Sequence, residues 1–138
     1  MNAAVNAVRP KLSVTPAGEA LGFYVATLGA AEVVRYVAGD RIVFAEIDVL
    51  GTRLTLKDAD EHDPAPGPGR PGPILDVVTD EPDALAAAMV AAGAETVFPV
   101  QDQPYGARGG RVRDPFGVQW LLQTPVTLGP EELGMTGG

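Results

Sequence analysis

An internal repeat constrains the fold of this chain more than any other feature of its sequence, because the same pattern of residues occurs twice, 64 positions apart. The ungapped shift aligns Val14-Thr15 with Val78-Thr79, Ala20-Leu21 with Ala84-Leu85, Gly29-Ala30 with Gly93-Ala94, and Val33 with Val97. Each copy shows a β run, an Ala-rich helical stretch, a Gly-Ala stop and a second β run. Two copies are too few for a solenoid, which needs three or more stacked units. The repeat therefore predicts two related modules that share one core.

The composition limits the classes of function. The chain has 138 residues, 46% of them hydrophobic and 20% charged, which indicates one globular domain. It contains no cysteine, which excludes disulfides, thiolate metal sites and cysteine nucleophiles. A net charge of −8 argues against a nucleic-acid partner. The N-terminus lacks the features of a signal peptide and no stretch could span a bilayer, so we expect a cytoplasmic protein without a membrane partner.

The first module is predicted to occupy residues 9–58. Its helix should run from Ala17 to Leu28 and end at Gly29, which is suited to a left-handed C-cap. The turn between its last two strands is predicted at Leu50-Gly51. Alternating polar and apolar residues predict its strands at Lys11–Thr15, Glu32–Val37, Arg41–Val49 and Thr52–Lys57.

The second module is predicted at residues 73–124, after a Pro- and Gly-rich linker over 59–72 and before a mobile tail over 125–138. Its helix should be capped by Asp80 or Glu81, carry Pro82 in its first turn and end at Gly93. The strands are predicted at Ile74–Thr79, Thr96–Val100, from Gly110 onward, and Val118–Gln123. The order βαβββ therefore occurs twice, which predicts an α+β fold.

Two βαβββ modules that end in RVRDPFGVQWLLQT resemble the vicinal oxygen chelate superfamily, and most closely its PhnB-like branch. This superfamily includes glyoxalase I, extradiol dioxygenases, fosfomycin resistance proteins and bleomycin-binding proteins. The resemblance covers residues 9–124, and it rests on AGEALGFYVATLGAAEVVRY, on the loop from Tyr105 to Arg108, and on the DPFG turn at residues 114–117. It implies a curved eight-stranded sheet that encloses a cup.

Enzymes that this chain resembles hold a divalent metal in the cup with four His or Glu ligands. Aligned through the helix and turn motifs, those positions hold Arg9, Arg53, Pro73 and Leu121. Guanidinium groups, proline and leucine do not ligate divalent metals. The resemblance therefore implies a member of the superfamily without a metal and without another cofactor.

The single histidine, His62, lies in the linker beside three acidic residues. It could form part of a surface cation site, but a solvated polar loop is the simpler interpretation, because a flexible linker offers no rigid partners. With no second histidine and no cysteine, Ser-His and Cys-His catalysis are excluded.

The alternation of the strands assigns their faces. Pairing across Leu50-Gly51 puts Ile47 opposite Leu54 on an apolar face that should pack on the helices. The other face should line the cup. From the first module it would carry Arg9, Lys11, Ser13, Phe44, Glu46, Asp48, Arg53, Thr55 and Lys57, and from the second Leu75, Val77, Gln119, Leu121 and Gln123.

The loop before the seventh strand carries Tyr105 and Arg108, which border the cup in the resemblance. We expect ligand contacts from the following residues: Arg9, Ser13, Phe44, Glu46, Asp48, Arg53, Thr55, Tyr105, Arg108, Gln119 and Leu121. Arg9, Arg53 or Arg108 could anchor an anionic group. The alternative is that each arginine is neutralised by a nearby acid, as Arg53 could be by Asp48.

Two functions fit these expectations. The first is a metal-free protein that sequesters a metabolite or antibiotic in the cup. The ligand would be a small organic molecule that can carry an anionic group, because the basic cup disfavours a strongly cationic guest. The second is a metal-independent isomerase, lyase or hydrolase that uses Glu46 or Asp48 as a base. Exposed sheet edges also predict a homodimer.

Overall fold

Each of the two predicted modules folds around its own four-stranded sheet. The computed structural model describes residues 3–135 and divides into two compact units, which meet in sequence between Gly67 and Pro68. That division falls inside the predicted linker over 59–72. Each unit contains one helix and four strands in the order βαβββ. The predicted α+β class is confirmed, and the eight strands are divided equally between two sheets.

The first unit closely follows the prediction. Numbered along the chain, its four strands lie in the order 1-4-3-2 in the sheet, with the first parallel to the fourth and the other neighbours antiparallel. Leu50 and Gly51 both have positive φ, which matches the two-residue turns preferred in hairpins. The elements are β1 (Lys11–Val14), α1 (Ala17–Leu28), β2 (Ala31–Ala38), β3 (Arg41–Val49) and β4 (Thr52–Asp58).

The core of the first unit forms where the sheet packs on α1. The predicted pair Ile47 and Leu54 lies on this face and is buried, together with Ala45 and Leu56 on the same strands. From α1 the large side chain of Tyr24 is fully buried against them. One face of the sheet is therefore occupied by the helix, and polar side chains are left on the opposite face.

The second unit repeats this topology: its four strands lie in the order 1-4-3-2 in the sheet, and its first strand is parallel to its last. Its core contains Met89 from the helix and Val112, Trp120 and Leu122 from the sheet, all buried. The elements are β5 (Ile74–Val78), α2 (Pro82–Ala91), β6 (Glu95–Asp102), β7 (Arg108–Arg113) and β8 (Gln119–Gln123).

Two predictions for the second unit were wrong. Strand β7 begins at Arg108 rather than Gly110, because its pairing with the preceding strand extends to Gln101 opposite Gly109 and Asp102 opposite Arg108. Leu75 and Val77 lie opposite Trp120 and Leu122, so they face α2 and not the predicted cup.

The DPFG motif forms the turn that leads into β8. The buried carboxylate of Asp114 accepts hydrogen bonds from the N–H groups of Phe116 and Val118, at 2.9 and 3.0 Å. Its second oxygen accepts from the indole N–H of Trp120 at 2.9 Å. This turn therefore fixes both the hairpin and the central aromatic side chain of the core.

The segment after β8 is attached to the loop that precedes β7. Thr127 donates to the carbonyl of Gly106 through both its N–H and its hydroxyl. Mobility of the tail over 125–138 stays a prediction, and its last residues, 136–138, lie outside the described residues. Within residues 3–135 neither helix is long and apolar enough to cross a membrane; the longer, α1, has 12 residues.

Candidate ligand-binding faces

Each sheet has one face that its helix does not cover, and these open faces hold most of the predicted site residues. We call the one in the first unit open face 1. It carries Lys11, Ser13, Phe44, Glu46, Asp48, Arg53, Thr55 and Lys57, with Arg9 just before β1. Seven of the eleven predicted ligand contacts therefore lie together on this face.

Glu46 is the centre of open face 1. One carboxylate oxygen accepts a hydrogen bond from Arg9 and the other accepts one from Arg53. The Glu46 side chain is only 10% exposed, whereas the two arginines are each more than 40% exposed. A nearly buried carboxylate is stabilised by two partners of this kind, because its charge would otherwise be costly to remove from water. Glu46 is therefore fully engaged by arginine.

Asp48 is engaged in the same network. Its carboxylate accepts from the Gly51 N–H and from Arg53 Nε, both at 2.8 Å. The Gly51 hydrogen bond first, and the Arg53 guanidinium second, lower the pKa of Asp48. The hydrogen bonds that Arg53 donates to Asp48 and Glu46 in turn raise the pKa of Arg53. The predicted neutralisation of Arg53 by Asp48 is thus present, and Glu46 adds to it.

At the edge of open face 1, the side chain of Lys57 is hydrogen-bonded to the start of the linker. Its ammonium donates to Asp60 and Asp63, both at 2.7 Å. Asp60 also accepts from the N–H groups of His62 and Asp63, so the segment around His62 is a hydrogen-bonded turn. The described residues contain no group of three or more His, Cys, Asp or Glu side chains that could hold a metal ion.

The second unit has a corresponding surface, which we call open face 2. It carries Ile74, Asp76, Val78, Phe98, Gly109, Arg111, Arg113, Gln119, Leu121 and Gln123. The predicted contacts Gln119 and Leu121 lie on it. Tyr105 joins them, because its hydroxyl donates to Gln123 Oε1 at 3.2 Å.

Arg111 occupies the middle of open face 2, and sequence reasoning missed it. Its guanidinium lies 5.3 Å from the centre of the Phe98 ring and makes a long hydrogen bond of 3.4 Å to Gln119 Oε1. Its Nε atom is buried and has no hydrogen-bond partner. Side chains alternate between the two faces of a strand. Counting along RGGRVR from the residue paired with Leu121 could therefore have placed Arg111 on open face 2.

Arg108 does not join the other predicted contacts. It lies three positions before Arg111 on the same strand, so it points to the opposite, helix-bearing face. There it makes two hydrogen bonds to Asp83, at 2.7 and 2.8 Å, and one to Asp102 at 3.2 Å. These carboxylates raise the pKa of Arg108. Arg108 therefore ties β7 to the first turn of α2.

The two units also correct the register of the repeat. The buried positions Ala17 and Tyr24 of α1 match Pro82 and Met89 of α2, which is a shift of 65 rather than 64. The α2 helix is two residues shorter than α1, but one residue, Ala92, separates it from Gly93, whereas Gly29 follows α1 directly. The net loss of one residue returns the shift to 64 at the Gly-Ala pairs.

This corrected register changes two of the four expected metal-ligand positions. At a shift of 65, Lys11 of the first unit matches Asp76 of the second. In the paired strands Lys11 lies opposite Thr55, and Asp76 lies opposite Leu121. Thr55 therefore corresponds to Leu121, and Arg9 to Ile74. For the ligand positions that the resemblance implies, the paired strands offer Thr55 and Ile74 in place of Arg53 and Pro73; neither set carries a carboxylate or an imidazole. By the same register Glu46, opposite Thr55, corresponds to Arg111, opposite Leu121.

Comparisons with known proteins agree with this architecture. An uncharacterized protein of Mycobacterium bovis, Mb0911c, is 34% identical over 128 residues, which cover 87% of this chain and 84% of that protein. Among solved structures, TioX from Micromonospora sp. ML1 is 25% identical, with a TM-score of 0.68 over 86% of this chain and 98% of TioX.

The fold is also that of the PhnB protein from Bacillus cereus, which is 19% identical, with a TM-score of 0.65 over 87% of this chain and 100% of that protein. The family model of the Glyoxalase/Bleomycin resistance protein/Dioxygenase superfamily matches residues 6–122. The resemblance inferred from the sequence is thereby confirmed, and the chain belongs to this superfamily.

Proposed function

We propose that this chain is a small-molecule-binding protein that works without a metal and sequesters a metabolite or antibiotic. One observation carries the proposal: the four positions at which the resemblance implies metal ligands carry no carboxylate or imidazole, whether they are taken from the sequence (Arg9, Arg53, Pro73 and Leu121) or from the paired strands (Arg9, Thr55, Ile74 and Leu121). A divalent cation needs carboxylate, imidazole or thiolate ligands at such a site. A guanidinium at one of the four positions would in addition repel it.

The carboxylates of open face 1 support binding over catalysis. A general base must accept a proton near neutral pH, and its efficiency falls as its pKa drops. Glu46 already accepts from two arginines, and Asp48 has a lowered pKa because of Gly51 and Arg53. The metal-independent enzyme would need a carboxylate that no arginine holds. The engagement of both candidates therefore favours the binding protein.

The ligand contacts that we propose divide into two groups. On open face 1, the aromatic ring of Phe44 lies among polar side chains that are already organised by ion pairs: Arg9, Ser13, Glu46, Asp48, Arg53 and Thr55. On open face 2, Tyr105, Gln119 and Leu121 present a hydroxyl, an amide and an apolar surface. Each face by itself combines polar and apolar groups, which suits a small organic molecule with few polar groups. We propose that binding takes place in the cytoplasm.

Elemental analysis and a ligand screen test this function together. We expect the purified protein to retain no stoichiometric Zn, Ni, Mn or Fe through dialysis. A thermal-shift screen of metabolites and antibiotics should give hits whose stabilisation is unchanged by EDTA, because ligand binding raises the melting temperature without a metal. Each hit should also be recovered chemically unchanged after prolonged incubation with the protein.

Different results would contradict different parts of the proposal. One metal per chain that survives dialysis, with stabilisation lost in EDTA, would show a metal-dependent protein. Conversion of a hit to a product that stops in the Glu46→Gln variant would establish the enzyme instead. The control for that variant is Glu32→Gln, which removes an exposed carboxylate paired with Arg35 at the edge of the same sheet.

A further inference from the structure

We infer that Arg111 is the anchor of a binding site on open face 2 for a small carboxylate with an apolar, planar body. The inference rests on the proposed function and deepens it, because it names the chemical class of the ligand and the residue that holds its charge. It also replaces the three arginines that the sequence favoured for this role.

The distribution of ion pairs singles out Arg111. Arg9 and Arg53 are held by Glu46, and Arg108 is held by Asp83. Arg113, which lies two positions along the same strand and on the same face, pairs with Glu95. Among residues 3–135, no carboxylate lies within salt-bridge distance of Arg111. Within the described part of the chain, its positive charge therefore has no ion-pair partner.

The hydrogen bonds of Arg111 are also incomplete. A guanidinium has five N–H donors, and a buried donor without an acceptor is costly. The Nε donor is buried and unpartnered, and the contact of Nη1 with Gln119 is long, at 3.4 Å. A carboxylate matches the fork of a guanidinium and can accept two parallel hydrogen bonds. A bound carboxylate would therefore supply both the missing charge and a missing acceptor.

The surroundings of Arg111 indicate the rest of the ligand. The Phe98 ring lies beneath the guanidinium and is 54% exposed, so it offers a flat apolar surface beside the charge. Ile74 and Val78 are exposed on the same face, and Leu121 lies directly opposite Arg111 on the neighbouring strand. A planar body can stack on Phe98 while its carboxylate meets Arg111. A single uncompensated cation suits a monoanion better than a doubly charged phosphate.

Benzoate is the probe for this site, with benzamide as its neutral isostere and phenyl phosphate as the competing anion. Amide resonances of a ¹⁵N-labelled sample should shift with benzoate around Arg111, Phe98 and Leu121. Benzamide and phenyl phosphate should bind at least about tenfold more weakly. In Arg111→Met the affinity for benzoate should fall about tenfold or more, the loss expected for a charge-assisted hydrogen bond. The matched control Arg113→Met, whose charge is balanced by Glu95, should bind within about twofold of the original protein.

Each of the following outcomes would contradict one part of the inference. Equal binding of benzoate to the original protein and to Arg111→Met would refute the anchor while leaving the small-molecule function intact. Hits from the metabolite screen combined with no benzoate shifts on open face 2 would refute the carboxylate class. Stronger binding of phenyl phosphate than of benzoate would show that the site takes phosphates rather than carboxylates. A different oligomeric mass for Arg111→Met than for the original protein, measured by light scattering, would mean that the counter-charge of Arg111 comes from another copy of the chain.

Discussion

Glu46 shows how far residue-level reasoning from the sequence could reach. Alternation along β3 and β4 correctly placed Glu46, Asp48 and Arg53 on one face, because a two-residue turn at Leu50-Gly51 fixes the register of every pair. The second arginine on Glu46 could not be predicted in the same way. Arg9 precedes β1, and its partner lies 37 positions away on β3, which is separated from β1 by β4 in the sheet.

Arg111 was missed for a different physical reason. Its strand reads RGGRVR, so a second arginine and two glycines interrupt the simple alternation of polar and apolar residues. The glycines are required by close packing: a Cβ at Gly110 would lie 2.7 Å from the backbone of Phe98. Because β7 begins at Arg108, the three-residue spacing puts Arg108 and Arg111 on opposite faces. The pairing with β8 then places Arg111 opposite Leu121.

The turn that begins at Asp60 gives a prediction at the residue scale. The Lys57 ammonium first, and the N–H groups of Asp63 and His62 in addition, lower the pKa of Asp60 to about 2. The ordinary pKa is about 3.9, so this turn should contribute its stability above that pH and lose it as the pH falls through about 2. A ¹³C titration of the Asp60 carboxyl should show a midpoint at a pH of about 2.

The Lys57→Met variant is the control for this titration, since it removes the largest cause of the shift. Its Asp60 midpoint should rise toward the ordinary value. A midpoint near 4 for Asp60 in the original protein would mean that the hydrogen-bonded turn does not persist in solution.

At the scale of elements, α1 depends on a residue that lies outside it. Its N-cap is Pro16, which has no side-chain oxygen to accept a helical N–H. The carboxylate of Asp58, at the end of β4, accepts from the Ala17 N–H at 2.8 Å and from the Ile42 N–H at 2.7 Å. This one side chain therefore joins the start of α1 to β3 and β4.

We expect Asp58→Ala to lower the free energy of unfolding by about 2–3 kcal/mol, because it removes a helix cap and a second charge-assisted hydrogen bond. Urea denaturation followed by Trp120 fluorescence and circular dichroism measures the change. Asp40→Ala, at an exposed turn of the same unit, is the control and should change stability by less than about 0.5 kcal/mol. Equal effects of the two substitutions would contradict the capping role.

The order and type of the elements could be predicted, whereas their exact register could not. Gly29 and Gly93 mark the helix ends in both copies, and the helix-to-strand pattern follows from the spacing of apolar residues. The gapless shift of 64 concealed a one-residue displacement between α1 and α2, because short Ala-rich helices offer several similar alignments. Burial of Tyr24 and Met89 resolves it.

At the scale of the whole molecule, exposed apolar side chains support the homodimer predicted from the sequence. Strand β2 is an edge strand of its sheet, and Val33, Tyr36 and Val37 are each exposed by about half on it. Edge strands with apolar side chains are commonly protected by association. We therefore expect a particle of about twice the chain mass of 14.3 kDa.

Light scattering at micromolar concentration measures this mass directly. The Val37→Lys variant should shift the equilibrium toward the monomer, since a charge on an edge strand opposes pairing. Val90→Lys, an exposed position on α2, serves as the matched control and should keep the mass of the original protein. A single-chain mass for the original protein would contradict the homodimer.

The register that matches Glu46 with Arg111 has an evolutionary consequence. If the two units descend from one duplicated ancestor, the central position of the uncovered sheet face has reversed its charge in one copy. The surrounding positions have diverged with it: Arg9 and Thr55 in the first copy stand where Ile74 and Leu121 stand in the second. The copies have thus become chemically distinct halves, and neither could replace the other by recombination without loss of one of the two charge patterns.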